Sequence, residues 1–168
     1  MIFQEIIEDV MSDIDENMND SDVVKKVKRF INRAYRELAK REGLEKSKIL
    51  QASDGKVKKP SDSFEIFEVK FENNPIQFWI EGNNIVTNVG DEEVEVRYCY
   101  LPEQLEELDD ETVTNSANDE FILNFAKYLF FLTDDQESLA RSYKSEYENM
   151  NLVIAPKAFN VISVYEVM

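Results

Sequence analysis

The segment Asp119–Thr133 constrains the fold more than any other part of the chain. Phe121, Ile122, Leu123, Phe125, Ala126, Leu129, Phe130, Phe131 and Leu132 cover nearly the whole circumference of a helix. A helix with no polar face has nothing to show water, so it belongs at the centre of a bundle. The chain offers three further helices to surround it. Phe3, Ile6, Ile7, Val10, Met11 and Ile14 recur at spacings of three and four and predict a helix over Ile2–Ile14. After the polar loop Asp15–Asp20, capped by Asp20 or Ser21, a longer helix is predicted over Asp22–Glu42. Its stripe is Val23, Val27, Phe30, Ile31, Ala34, Tyr35 and Leu38, and Gly43 is its natural terminator. A last helix over Asp134–Met150 carries Leu139, Tyr143, Tyr147 and Met150 on one side.

Between these helices the apolar period shortens to two. Lys48–Ser53, Asp54-Gly55 and Lys56–Lys59 read as a hairpin with a tight turn. Phe67, Val69 and Phe71 alternate up to a turn at Asn73-Asn74. Ile76, Phe78 and Ile80 alternate up to Gly82-Asn83-Asn84, and Ile85–Val89 and Val94–Leu101 complete a meander. Val94, Val96, Tyr98 and Tyr100 share one face, expected to pack against the helices, while Glu95, Arg97 and Cys99 take the other. Phe64-Glu65-Ile66-Phe67 breaks the alternation and predicts a bulge or a short helical turn.

The expected fold is therefore α+β: an antiparallel helical bundle with an inserted antiparallel β-meander and an extended C-terminal arm. The divisions are 1–47 for the first helices, 48–101 for the β-rich insertion, 102–150 for the closing helices and 151–168 for the arm. The arm is rich in apolar and β-branched residues, with Pro156 as a breaker. Val153, Ile154, Phe159, Val161, Ile162 and Tyr165 need a groove or a sheet edge to cover them, on their own domain or on another subunit.

Most enzyme chemistry is missing from the composition. The 168 residues contain no histidine, one cysteine (Cys99) and four glycines. The commonest general base and metal ligand are thus absent, and no glycine-rich phosphate loop can be written. The carboxylate runs Asp91-Glu92-Glu93, Asp109-Asp110-Glu111 and Asp134-Asp135 read as solvated loop charge. The expectation is a protein that is not an enzyme and uses no cofactor and no metal. No apolar run reaches the roughly 18 residues of a membrane helix. The opening MIFQEIIEDV carries acids where a signal peptide carries bases. Synthesis in the cytoplasm, away from membranes, is expected.

Charge supplies the positive clue. The net charge is -16, which opposes tight wrapping of nucleic acid yet suits a wall past which DNA slides. Lys25, Lys26, Lys28, Arg29, Arg33, Arg36, Lys40 and Arg41 nevertheless place 8 of the 19 basic residues on the helix 22–42. Three readings are open: a solvated face with intrahelical pairs such as Arg33–Glu37, a contact with acidic surface on a neighbouring copy, or nucleic-acid binding. Under the second, Lys25, Arg29, Arg33 and Arg36 are the interface candidates. A positive patch that meets a different, negative patch on the next copy joins subunits head to tail, and such contacts close into rings.

Four segments in order also carry a family resemblance. VKRFINRAYRELAKREG, with Phe30, Ile31, Asn32, Ala34, Tyr35 and Leu38, resembles the opening helix of tailed-phage head–tail connector (adaptor, head-completion) proteins. PSDSFEIFEVKFENN resembles the Pro-x-Asp and strand that follow in that family. FWIEGNNI and VEVRYCYLPEQL, with Tyr98, Pro102 and Leu105, are similar to its short meander. DEFILNFAKYLFFLTDDQESLARSYKSEYENM resembles its closing helix pair. The resemblance spans residues 22–150 and implies a virion protein of the neck. It would be a homododecameric ring bound below the portal protein and joined to tail proteins. Double-stranded DNA would pass through it, as a DNA ejection channel, without sequence-specific binding. The alternatives are another virion structural protein, such as a tail terminator or minor capsid component, or an acidic DNA-mimic or inhibitory binding module.

Overall fold

The structure, a computed structural model, describes residues 1–154. Among them the fold is α+β, with four helices and two small antiparallel sheets. The helices are α1 (Phe3–Asp13), α2 (Ser21–Glu42), α3 (Asp119–Thr133) and α4 (Glu137–Glu148), with a single 3₁₀ turn, Ser116–Asn118, leading into α3. No helix among the described residues is long and apolar enough to cross a membrane.

Helix α3 takes the central place its composition demands. Phe121, Ile122, Ala126, Leu129, Phe130 and Phe131 are buried in one core with residues of α1, α2 and α4. Cross-contacts fix the helix directions. Arg41, at the end of α2, sits over the Phe121 ring at the start of α3, and Lys26 sits over Phe130 near its end, so the two run antiparallel. Tyr147 meets Phe121 edge-on with centroids 5.5 Å apart, and Tyr143 stacks on Phe131 at 5.6 Å, so α4 reverses direction again. These aromatic pairs add to simple area burial because ring edges and faces carry opposite partial charge. Lys127, the one base in α3, is buried and pairs with Asp13 at the end of α1.

Each helix boundary has a local cause. Asp20 caps α2 by accepting from the N–H groups of Asp22 (3.0 Å) and Val23 (3.2 Å). Gly43 ends it at φ 64°, a left-handed conformation that glycine adopts without a Cβ clash. The expected α1 stripe is buried throughout. The α4 stripe keeps Tyr143, Tyr147 and Met150 against the helical core but departs at Leu139. Leu139 is 42% exposed, and Ala140 turns inward instead, at 2%. The Asp134–Gln136 connection, with Asp135 at φ 55°, delays the helix start and sets the phase so that the small residue abuts α3 and the core.

The β-region departs further from expectation. The strands are β1 (Glu45–Gln51), β2 (Lys56–Lys58), β3 (Ser63–Phe71), β4 (Asn74–Pro75), β5 (Phe78–Glu81), β6 (Asn84–Thr87) and β7 (Glu93–Tyr100). They form no single meander but two sheets, ordered β1-β7-β3-β4 and β2-β6-β5. The tight turn at Asp54-Gly55 exists, with φ 50° and 73° and both Ser53–Lys56 backbone bonds at 2.9 Å. The hairpin does not: β1 pairs with β7 along its length, and β2 leaves to pair with β6. A tight turn dictates a reversal over four residues; the partner of each strand is chosen by what it can bury. Val57, the only apolar residue of β2, is paired with fully buried Ile85. Gly55 is wedged at that crossing, where a Cβ would lie 2.7 Å from the Thr87 carbonyl oxygen.

The buried face of β7 also packs differently from the prediction. Val94, Val96 and Tyr98 are buried as expected, but against Val57 and Ile85 of the second sheet rather than against the helices. The opposite face contributes Cys99, whose thiol lies 3.9 Å from the Gly43 carbonyl where α2 turns into β1. The predicted bulge in β3 is present as two register shifts against β7, between Ser63 and Glu65 and between Ile66 and Glu68. The structure thus has one helical core and one core between sheets.

Replacing Phe121 with Ala is expected to lower unfolding stability by about 3–5 kcal/mol, because the ring is fully buried at the meeting of α2, α3 and α4. Leu139→Ala, on the solvent side of α4, is expected to change it by less than about 1 kcal/mol. Urea denaturation followed by circular dichroism measures both.

Candidate subunit interface

The outward face of α2 forms a cleft of about 650 Å³. Lys28, Arg29, Arg33, Arg36 and Lys40 project along it from successive turns, with Glu37 as the single acid. Leu101 and Gln104, on the segment that returns from β7, form part of its lining, and Phe125 of α3 forms another part. None of the five cations makes an ion pair with a carboxylate among the described residues. Glu37 is engaged by Arg41 at 3.4 Å, which replaces the expected Arg33–Glu37 pair. Lys28 and Arg29 also lie over the Phe3 and Phe30 rings of the helical core, at 5.4 and 5.3 Å. Arg36 Nε is buried without a hydrogen-bond partner. A buried donor left unmatched costs about 1–3 kcal/mol.

Three of the four interface candidates therefore share one cleft, and one does not. Arg29, Arg33 and Arg36 line it. Lys25 stands a turn away, exposed and facing Asp22 at 3.6 Å. Lys26 and Arg41 are likewise spent on Asp134 and Glu37.

A buried amide holds the cleft in shape. Asn32 Nδ2 donates to the Leu105 carbonyl at 2.9 Å, and the Leu105 N–H donates back to Asn32 Oδ1 at 2.7 Å. Asn32 also donates to the Lys28 carbonyl one turn earlier, at 3.2 Å. This reciprocal pair ties α2 to a residue 73 positions later and buries the Leu105 side chain in the helical core. Leu101 and Gln104 are carried into the cleft wall by the same segment. Tyr35 supports it one turn along, where its hydroxyl accepts the Val113 N–H at 3.0 Å. Burial raises the Tyr35 hydroxyl above its usual pKa; the Val113 N–H opposes the shift, and Tyr100, Glu42 and Asp110 add to it.

The backbone at Val153 is held by a second buried network. Asn118 Nδ2 donates to Glu42 Oε1 at 2.6 Å and to the Val153 carbonyl at 3.0 Å, while its Oδ1 accepts the Val153 N–H at 2.8 Å. Glu42 also accepts the Asn115 N–H with both oxygens at 3.1 Å. The backbone at Val153 is therefore fixed, yet the side chains of Val153 and Ile154 are 53% and 47% exposed. Phe159, Val161, Ile162 and Tyr165, the other docking candidates, lie outside the described residues.

The periodicity of α2 could not reveal the two amide networks. Asn32 flanks the apolar stripe and looks like one more polar residue; only its burial beside a distant backbone gives it a role. Lys127 carried a signal, being a lone base in an otherwise apolar helix. Among the described residues no group of three or more Cys, Asp or Glu side chains is placed to hold a metal ion.

Asn32→Leu keeps the volume of the side chain but strands the Leu105 N–H and C=O. A loss of about 2–4 kcal/mol in unfolding stability is expected. Amide hydrogen exchange should rise selectively at Leu105 and its neighbours, while α3 stays protected. Comparison with protein-family models and with curated proteins gives no match for this chain.

Proposed function

We propose that this chain is a structural subunit of a tailed-phage head–tail connector ring. It attaches below the portal protein and extends the DNA channel toward the tail. One observation carries the reading most: a chain of net charge -16 gathers five cations in one cleft and pairs none of them with its own described carboxylates. Surface ion pairs stabilise a fold by little, so leaving the cations unpaired costs the monomer almost nothing. It leaves them free to be paired by a neighbour. The surface that could pair them, the acidic remainder, is unlike the cleft. Contacts between unlike surfaces propagate head to tail and close when the rotation permits.

Two of the segments that carry the resemblance meet in one contact. Asn32 and Leu105, one from each segment, are the two partners of the clamp that shapes the cleft. Twelve copies around the DNA, an acidic lumen that does not hold it, and a place in the virion neck follow from the same reading. In it residues 151–168 dock on the portal or on an adjacent copy. The exposed side chains near the start of that segment, Val153 and Ile154, suit that direction.

Negative-stain microscopy of the full chain mixed with its portal ring tests the reading. A second ring stacked coaxially on the portal is expected. Deleting residues 155–168, which leaves Leu152 and the Val153 network in place, should abolish incorporation into particles while leaving the helical circular dichroism signal intact. A chain that stays monomeric beside the portal, and instead competes with DNA for a basic protein, would mean a DNA mimic.

A further inference from the structure

The cleft asks for an occupant with carboxylates and one apolar side chain. Its cations make no ion pair among the described residues, and Leu101 and Phe125 give its lining an apolar part. The chain itself offers one segment of that composition. In the loop 103–111, Glu103, Glu106, Glu107, Asp109 and Glu111 are exposed, and none is in an ion pair among the described residues. Leu108 in their midst is 48% exposed. Other acidic runs fit less well: Asp134 is engaged by Lys26, Asp13 by Lys127, and 91–93 carries no apolar residue.

The loop is also preformed. The Asp110 carboxylate accepts the N–H groups of Glu106 and Glu107 at 2.7 and 2.9 Å. The Phe3 N–H donates to the Asp110 carbonyl at 2.8 Å, and the Gln4 N–H to the Leu108 carbonyl at 2.9 Å. These bonds pin residues 106–110 to the start of α1, while Gln104 at the other end of the loop lines the chain's own cleft. A rigid loop loses little conformational entropy when it is bound.

We propose that the cleft on α2 receives the acidic loop 103–111 of a second copy of this chain. Leu108 seats against Leu101 and Phe125, and the loop carboxylates meet Arg29, Arg33 and Arg36. The inference rests on the ring-subunit reading only in that two copies must meet. Copies that give a loop to one neighbour and take one from the other form a ring; copies that exchange loops form a pair.

A charge exchange between two full-length variants tests the contact. One carries Glu106→Lys, Glu107→Lys and Asp109→Lys; the other carries Arg29→Glu, Arg33→Glu and Arg36→Glu. Each alone sets like charges against each other and should associate at least about tenfold more weakly than the unmodified chain. Mixed, they should recover, because each loop then finds an opposite cleft. All species are checked by circular dichroism and weighed by native mass spectrometry, alone and on a portal ring. A photo-crosslinking residue at Leu108 should join peptides of the cleft on a different, isotopically marked copy. Normal association of the loop variant alone, failure of the mixture to recover, crosslinks elsewhere, or an unmodified chain that never associates would each overturn the proposal. Recovery as a two-copy particle would keep the contact and overturn the ring.

Discussion

The reciprocal bond between the Asn32 side chain and the Leu105 backbone is the constraint on which the rest of the site depends. The β-region leaves the helical bundle after Gly43 and returns after Tyr100, and the returning strand end must be re-seated on α2 before α3 can begin. Hydrophobic contact alone would let that segment slide along the helix, because burial is not directional. A primary amide offers a donor and an acceptor in one plane and matches one peptide unit in one register. Once Leu105 is fixed, Leu101 and Gln104 face the basic side of α2, and a row of cations becomes one face of a cleft.

The distribution of charge then acquires a physical meaning. At net charge -16 the compact state repels itself, and the simplest relief would be to spread the 19 bases among the 35 acids. The chain does this in part: Lys26, Arg41, Lys46, Lys56 and Arg97 all have carboxylate partners. It withholds five cations on one cleft. None of the five makes an ion pair among the described residues, and only Lys28 and Arg29 gain an internal contact, over the Phe3 and Phe30 rings. A partner with an acidic surface is the use we propose for them.

The bundle was legible in the sequence because helices announce themselves through a single period. The stripes of α1 and α2 bury the residues their spacing picks out, and the apolar circumference of α3 places it among the other helices. In α4 the loop Asp134–Gln136 decides that Ala140 rather than the larger Leu139 faces inward, and spacing alone does not carry that. Strand pairing was less legible for a different reason. Asp54-Gly55 and Gly82-Asn83 are both genuine turns, yet only the second joins paired strands, β5 and β6. Pairing across tens of residues depends on which apolar faces meet, and a local pattern does not contain that. Of the four basic candidates named on α2, Arg29, Arg33 and Arg36 come together on one cleft and Lys25 stands outside it. Asn32 and Asn118 were not recognisable, because buried amides earn their roles from distant backbone.

The mass of the protein's assembly as a function of ionic strength is the most direct measurement, taken by sedimentation for the chain alone and bound to a portal ring. If unlike charged surfaces join the copies, a closed oligomer of uniform mass will form at low salt and come apart as added salt screens the cleft. A particle whose mass is the same at every ionic strength, whether monomer or oligomer, would contradict the role assigned to the cations of α2.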